Sequence, residues 1–192
     1  EEAFQTEFIS YSSEEGVIYF LDNRFSNTNQ LTQKSIADPY KEKLLGGQDF
    51  SDVDEVLFVG GKPKAYASYY TQKKWYALEI DTEQDINFLE EQIGGNFEVI
   101  SQSKDNEVWI VSNSIPDKGN YFWMYKRASR LIDQISPSTL EKACEEKFSK
   151  MYEMVVDSRD GQKLVCYYTL PKEYDQGGYV DKPIPLVVVP HG

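Results

Sequence analysis

The residues that most clearly suggest a chemical role are His191, the single histidine, and Gly192, which follows it. Histidine is the usual general base for a serine or cysteine nucleophile, so a hydrolytic function needs such a nucleophile elsewhere in the sequence. No Gly-x-Ser-x-Gly elbow, which would expose a serine on a sharp strand-to-helix turn, occurs in the 192 residues. We therefore predict that this chain contains no catalytic residue, because its sequence cannot supply a Ser–His–Asp triad.

Cysteines and carboxylate clusters are the remaining groups able to bind a metal or to react. Cys144 and Cys166 lack the spacing of a metal site, and we expect two free thiols, with Cys166 facing a core. The carboxylates lack the alternation and the glycine of a calcium loop, so we predict solvated charge, no metal site and no cofactor. These clusters are Asp49/Asp52/Asp54/Glu55, Glu83/Asp85 and Glu90/Glu91.

The composition predicts a globular, β-rich chain. Hydrophobic residues make up 40%, and the 14 tyrosines and 10 phenylalanines favour strands. The net charge of −12 argues against a nucleic-acid partner, since a phosphate backbone needs a basic surface. No apolar run approaches the roughly 20 residues of a membrane span, and no signal peptide is evident, so we predict no membrane partner. The compartment stays undetermined, with a soluble protein of the cytoplasm slightly favoured over the periplasm.

Short β-type runs separated by turn residues follow one another along most of the chain. Residues 37–52, with Asp38-Pro39 and Gly46-Gly47, are predicted to form a connector. A helix is predicted from Asp81 to Ile93, stopped by Gly94-Gly95, and a second, shorter one over residues 139–148. The predicted strands are residues 8–12, 17–21, 30–33, 56–59, 65–70, 74–80, 97–101, 108–112, 121–125, 154–157, 164–170 and 186–189.

An internal repeat links two of these hairpins. Residues 9–12 and 17–20 match residues 100–103 and 108–111 at a constant offset of 91. Strands grouped in threes or fours, with turns between them, are typical of β-propeller blades, although sandwich strands have similar spacing.

The character of the sequence changes after Pro137. Residues 186–189 form an unbroken apolar run between prolines, which predicts a strand buried on both faces, as in an α/β sheet. Pro190 cannot donate to a ladder, so this strand should end in a loop at His191 and Gly192. Before it, Asp160-Gly161 predicts a hairpin turn with a positive φ at Gly161, whose second strand buries Leu164, Cys166 and Tyr168.

The sequence from Tyr152 onward resembles the junction of prolyl oligopeptidase-family serine peptidases, the acylaminoacyl-peptidase and dipeptidyl-peptidase relatives. The features that carry the resemblance are Ser158-Arg159-Asp160-Gly161, then Leu164 with residues 167–171, then residues 185–192, in that order. Residues 54–76 and 96–125 resemble late propeller blades of the same family more loosely.

The resemblance implies a mainly β fold: a partial β-propeller of antiparallel blades over residues 1–137, then a linker helix and the first strands of an α/β-hydrolase domain over residues 138–192. It implies that His191 and Gly192 belong to an oxyanion-hole loop, although the second glycine expected after them is absent. We accordingly expect an inactive fragment of a serine oligopeptidase that acts on peptide substrates, with a propeller that restricts substrate access. We also expect self-association through exposed β edges. The alternatives are a non-catalytic β-rich interaction module and an esterase of the same fold.

Overall fold

A computed structural model of the chain describes residues 6–38, 40–136 and 148–190. The chain divides into two compact units, one of Glu1–Ser114 with Asn120–Pro137 and the other of Ile115–Gly119 with Ser138–Gly192. The predicted helix over residues 139–148 lies almost wholly outside the described residues, and Cys144, His191 and Gly192 lie outside them entirely.

The first unit contains three sheets, which we call blades 1, 2 and 3, and in each the strands follow one another in chain order. Blade 1 consists of β1 (Thr6–Ser12), β2 (Val17–Asp22), β3 (Gln30–Ser35) and β4 (Glu42–Gly46). Blade 2 consists of β5 (Val53–Val59), β6 (Lys62–Tyr69) and β7 (Lys73–Ala77). Blade 3 consists of β8 (Phe97–Gln102), β9 (Val108–Ile115), β10 (Gly119–Lys126) and β11 (Leu131–Ser136).

Helix α1 (Ile80–Ile93) connects blade 2 to blade 3 and confirms the predicted helix to within a residue. It ends at Gly94, whose φ of 87° is a conformation that favours glycine and whose N–H is bonded to the Glu90 carbonyl. Ile86 and Leu89 are buried on its inner face. They join the core formed between blades 2 and 3.

Blade 2 has two buried faces because alternate residues of a strand point to opposite sides. On one side Tyr66 packs with Leu31 and Val53 in the core shared with blade 1. On the other side Ala65 and Ala67 contribute to the larger core shared with blade 3 and helix α1. Blade 2 is thus packed between its two neighbours, as blades of a propeller are.

The repeat seen in the sequence is present in the pairing of the strands. The β1–β2 ladder has a bulge between Phe8 and Ser10, and the β8–β9 ladder has one between Val99 and Ser101, which is again an offset of 91. The buried faces are opposite, however: β2 buries Val17 and Tyr19, whereas β9 buries the residues equivalent to positions 18 and 20. This difference arises because blades 1 and 3 pack against opposite sides of blade 2.

Two strands were not expected from the sequence. β4 lies within the segment 37–52 that was predicted to be a connector, and β11 follows the last strand predicted for blade 3. Both are outermost strands of their sheets, and most residues of β11 are exposed. An edge strand buries little on either face, so its sequence lacks the alternation that marks an inner strand.

The second unit contains the hairpin of β12 (Met151–Asp157) and β13 (Lys163–Thr169). Gly161, in its turn, has the predicted positive φ, at 86°. The predicted buried face is wrong in part, because Leu164 is 49% exposed and Cys166 and Tyr168 are only half-buried. A two-stranded sheet has nothing of its own to cover both faces.

The strand predicted at residues 186–189 is absent from the structure. These residues have no regular secondary structure, and their side chains are 73–84% exposed. A strand needs a hydrogen-bonding neighbour, and no described strand pairs with this segment. The predicted burial on both faces is therefore wrong.

Candidate functional site

The predicted oxyanion-loop residues, His191 and Gly192, lie outside the described residues, so their role stays a prediction. Further upstream, the turn at residues 175–178 is held by the β12–β13 hairpin. The Tyr152 hydroxyl donates to Asp175 Oδ2 at 2.8 Å, and the Tyr168 hydroxyl donates to the Gly178 carbonyl at 2.8 Å. The two rings are stacked, 5.4 Å apart.

Asp175 organises the turn that these tyrosines contact. Its Oδ1 accepts the backbone N–H groups of Gly177 at 2.9 Å and Gly178 at 2.8 Å. The Gly178 N–H and the Tyr152 hydroxyl lower the pKa of Asp175 below its usual range, because both stabilise the ionised carboxylate. This network positions the connector that leads from the hairpin to residues 186–190.

A cavity of 410 Å³ lies in the first unit, where strand ends of blades 2 and 3 meet. β6 ends and β7 begins on its blade 2 side, and β8 and β10 begin on its blade 3 side. The charged, amide and aromatic side chains that line it are those of Tyr69, Lys73, Asn96, Glu98, Asn120 and Phe122, among others. Its size is within the range usual for small-molecule and side-chain sites.

Lys73 and Glu98, the charged residues that line this cavity, form an ionic triad with Glu55. Lys73 Nζ lies 2.9 Å from Glu55 Oε2 and 3.0 Å from Glu98 Oε1, and its side chain is 9% exposed. Burial raises the pKa of Glu55 above its usual range, despite the nearby ammonium. Burial opposes the charge of Lys73, but the contacts with Glu55 and Glu98 raise its pKa overall. By formal charge, the triad consists of two carboxylates and one ammonium.

Additional carboxylates lie beside the triad. Asp54 Oδ2 accepts the Tyr69 N–H at 2.7 Å, and burial, with the charge of Asp52 adding to it, raises the pKa of Asp54. The sequence assigned Asp52, Asp54 and Glu55 to a solvated acidic cluster. Asp52 and Asp54 are exposed, whereas Glu55 is half-buried, so within this cluster the prediction is wrong for Glu55. The prediction of solvated charge is also wrong for Asp85, which is 4% exposed, and for Glu90, which is half-buried.

At the opposite end of blade 3, a buried network attaches helix α1 to the sheet. Asp85, 4% exposed, accepts the Tyr125 hydroxyl at 2.7 Å and the Arg127 Nε at 2.8 Å. Arg127 also stacks over the Trp109 ring, with 4.8 Å between Cζ and the ring centroid. The network fixes α1, and therefore the chain that leads into Asn96 and Glu98.

Sequence reasoning missed Lys73 and Glu98 as site residues. Lys73 was assigned to a turn between strands, and Glu98 to an ordinary strand position. The available signal was the charge pattern, because Glu55, Lys73 and Glu98 all flank apolar strand residues. Only the packing of blade 2 against blade 3 shows that these three charges meet.

Candidate metal sites and thiols are limited among residues 6–38, 40–136 and 148–190. These residues include no group of three or more His, Cys, Asp or Glu side chains arranged to hold a metal ion. Cys166 is a free, half-buried thiol. No helix among them has the length and apolar character needed to cross a membrane.

Antiparallel blades packed face to face give the first unit a β-propeller-like, mainly β fold. No protein-family model matches the chain. Dipeptidyl aminopeptidase BIII of Pseudoxanthomonas mexicana is 28% identical over 179 residues, which cover 91% of this chain and 26% of that protein.

Solved structures agree on the fold. Prolyl oligopeptidase B from Galerina marginata, bound to a 25mer macrocyclization substrate, matches with a TM-score of 0.55 at 8% identity, over 87% of this chain and 23% of the other. A structure from an analysis of two prolyl endopeptidases gives a TM-score of 0.53 at 9% identity, over 84% and 24% of the two chains.

The mainly β fold with antiparallel sheets, and the resemblance to prolyl oligopeptidase-family peptidases, are thereby confirmed. The chain spans about a quarter of the length of these relatives.

Proposed function

We propose that this chain is the late-propeller and junction portion of a serine oligopeptidase. One observation carries the proposal: a dipeptidyl aminopeptidase is 28% identical across 91% of the chain. The blades at residues 1–137 then belong to the propeller, and residues 138–192 lead into the hydrolase domain. In this role the propeller restricts access, so that short peptides reach the active site and folded proteins do not.

The chemistry of the whole enzyme would be acyl transfer. A serine attacks the scissile carbonyl, forms an ester with the acyl part of the peptide and releases the amine, and water then hydrolyses the ester. His191 and Gly192 would contribute to the loop whose backbone N–H groups stabilise the developing oxyanion. The nucleophile and its base would come from sequence beyond this chain, since the chain has no elbow serine.

This proposal predicts that the purified chain hydrolyses neither an aminoacyl-nitroanilide nor a p-nitrophenyl ester above the background rate. The reason is the missing nucleophile, and the measurement is absorbance of the released chromophore. Turnover that a serine-directed inhibitor abolishes would contradict the prediction.

A second measurement tests the peptidase assignment itself. The reading frame of the gene beyond Gly192 should encode a Gly-x-Ser-x-Gly elbow. A frame that closes without an elbow would overturn the assignment and favour a non-catalytic β-rich interaction module. Cleavage of esters but not of peptides by the full gene product would instead favour the esterase.

A further inference from the structure

The cavity between blades 2 and 3 has walls of two chemical kinds. Tyr69 and Phe122, which line it, are 42% and 40% exposed, so both rings present open surface. Glu98, which also lines it, is a carboxylate whose side chain is 61% exposed. A half-exposed aromatic ring beside a carboxylate attracts an organic cation, since the ring face and the oxygens are both negative.

The charged groups in and beside the cavity also favour a cationic ligand. Among the described residues, Lys73 is the only cation paired with Glu55 or Glu98, and it is shared between the two carboxylates. One ammonium therefore neutralises one of two carboxylates, and Asp54 is close enough to interact electrostatically with Lys73 as well. An anionic ligand would meet this surplus negative charge, whereas a cationic ligand would complete the pairing.

The lining also includes amide side chains, whose carbonyl oxygens are able to accept hydrogen bonds from a multi-donor group. Asn96 and Asn120 line the cavity beside Glu98. Asn96 Nδ2 donates to the Ser114 carbonyl at 3.1 Å, which fixes the orientation of its amide. A guanidinium presents five N–H donors in one plane and stacks on aromatic rings, whereas an ammonium is compact and strongly hydrated.

From these observations we infer that the cavity binds the guanidinium of an arginine side chain within a peptide, held by Glu98 and packed against Tyr69 and Phe122. The inference names a class of peptide. The idea that this cavity contacts peptides entering a peptidase rests on the proposed function. The binding of the guanidinium itself does not require catalysis. The lysine of the triad stays paired with Glu55 while Glu98 takes the ligand.

The experiment titrates the purified chain with a tripeptide that has arginine at its centre and is blocked at both termini. Blocking removes the terminal amine and carboxylate, so only the side chain is tested. Amide shifts in two-dimensional NMR report the site, and isothermal titration reports the affinity. We expect shifts at Asn96, Glu98 and Phe122, and binding weaker by about tenfold for the citrulline analogue, which is neutral but of the same shape.

Matched variants test each wall of the cavity. Glu98→Gln should weaken binding by about tenfold, because it removes one charge without changing size. Phe122→Leu should weaken it by about threefold, since it removes the ring but keeps an apolar side chain. Glu107→Gln, at an exposed position in the turn at the opposite end of β8 and β9, should leave binding unchanged.

Specific outcomes would overturn the inference. They are the absence of binding, equal affinity for the citrulline peptide, unchanged affinity in Glu98→Gln, or shifts confined to residues outside the cavity. Stronger binding of the matching lysine peptide would overturn the preference for a guanidinium. The proposed function fails separately, through the missing elbow in the gene, so the two failures are distinguishable.

Discussion

Asn106 combines two local demands in the turn between β8 and β9. Its φ is 60°, a left-handed conformation that asparagine tolerates better than most residues. Its Oδ1 accepts the Trp109 indole N–H at 2.7 Å, and Trp109 is fully buried. Few other side chains would meet both demands, because the residue must accept a left-handed backbone and also supply a short acceptor.

Replacing Asn106 by alanine should lower the free energy of unfolding by about 2–5 kcal/mol. Of this, about 1–3 kcal/mol comes from the unpaired indole N–H and about 1–2 kcal/mol from the left-handed backbone, which alanine tolerates less well than asparagine. Asn106→Gly loses only the hydrogen bond and is the matched control. Urea unfolding followed by circular dichroism measures both, and equal destabilisation by the two variants would show that the backbone conformation costs nothing.

At the scale of elements, sequence alone predicted the inner strands of each blade and helix α1. These elements bury one clear face, as β9 does with Trp109, Val111 and Asn113, so their alternation is visible in the sequence. It did not predict β4 and β11, whose pairing depends on a neighbour and not on their own pattern. The bulges of β1 and β8 lie at positions that differ by 91, the same offset as the internal repeat of the sequence.

The buried carboxylate of Asp22 holds blade 1 together at one end. The sequence analysis did not predict this role. The Asp22 side chain is 1% exposed and accepts the Arg24 N–H at 2.9 Å and its Nε at 2.6 Å. Arg24 also pairs with Glu42 at the start of β4. Burial acts to raise the pKa of Asp22, but the hydrogen bonds and charge of Arg24 lower it below its usual range overall.

Asp22→Asn should therefore destabilise the chain by about 1–3 kcal/mol at neutral pH, because it leaves Arg24 without its buried partner. A carboxylate with a lowered pKa in the folded state stabilises it above the unfolded pKa of about 3.9, and this contribution is lost as the pH falls through the folded value. The urea midpoint of the wild type should thus fall more steeply below about pH 4 than that of the variant.

The control for this prediction is Asp133→Asn, which removes the exposed pair of Lys126 and Asp133 in blade 3. An exposed pair contributes about 0–1 kcal/mol, so this variant should keep nearly the stability of the wild type. Parallel pH profiles for wild type and Asp22→Asn would contradict the role given to Asp22.

At the scale of the whole molecule, the two kinds of site differ in how far sequence could reveal them. His191 and Gly192 are adjacent in the sequence, so a resemblance to a family could suggest a role for them, and that role stays a prediction. The cavity brings together residues from β6, β7, β8, β9 and β10. Their proximity is a consequence of blade packing, which no local pattern specifies. Family resemblance therefore predicted the class of protein, and only the structure could locate the ionic triad of Glu55, Lys73 and Glu98.

The charge and exposure of the chain act in opposite directions on its association. A net charge of −12 separates the molecules in solution. Against this, Leu186, Val187, Val188 and Val189 are 73–84% exposed, and their backbone pairs with no described strand. An apolar segment with unpaired N–H and C=O groups is a template for pairing with a second copy.

We expect the purified chain to associate through residues 186–189, more strongly at high salt, where the repulsion between acidic molecules is screened. Val188→Lys should suppress this association, because it places a charge in the middle of the apolar run. Tyr40→Lys is the control, since Tyr40 is 97% exposed and lies far away in the sequence. Multi-angle light scattering over a range of protein concentrations measures the mass. A monomer at every concentration and salt level, with slow amide exchange at residues 186–189, would contradict the expectation, because the segment would then be paired within its own chain.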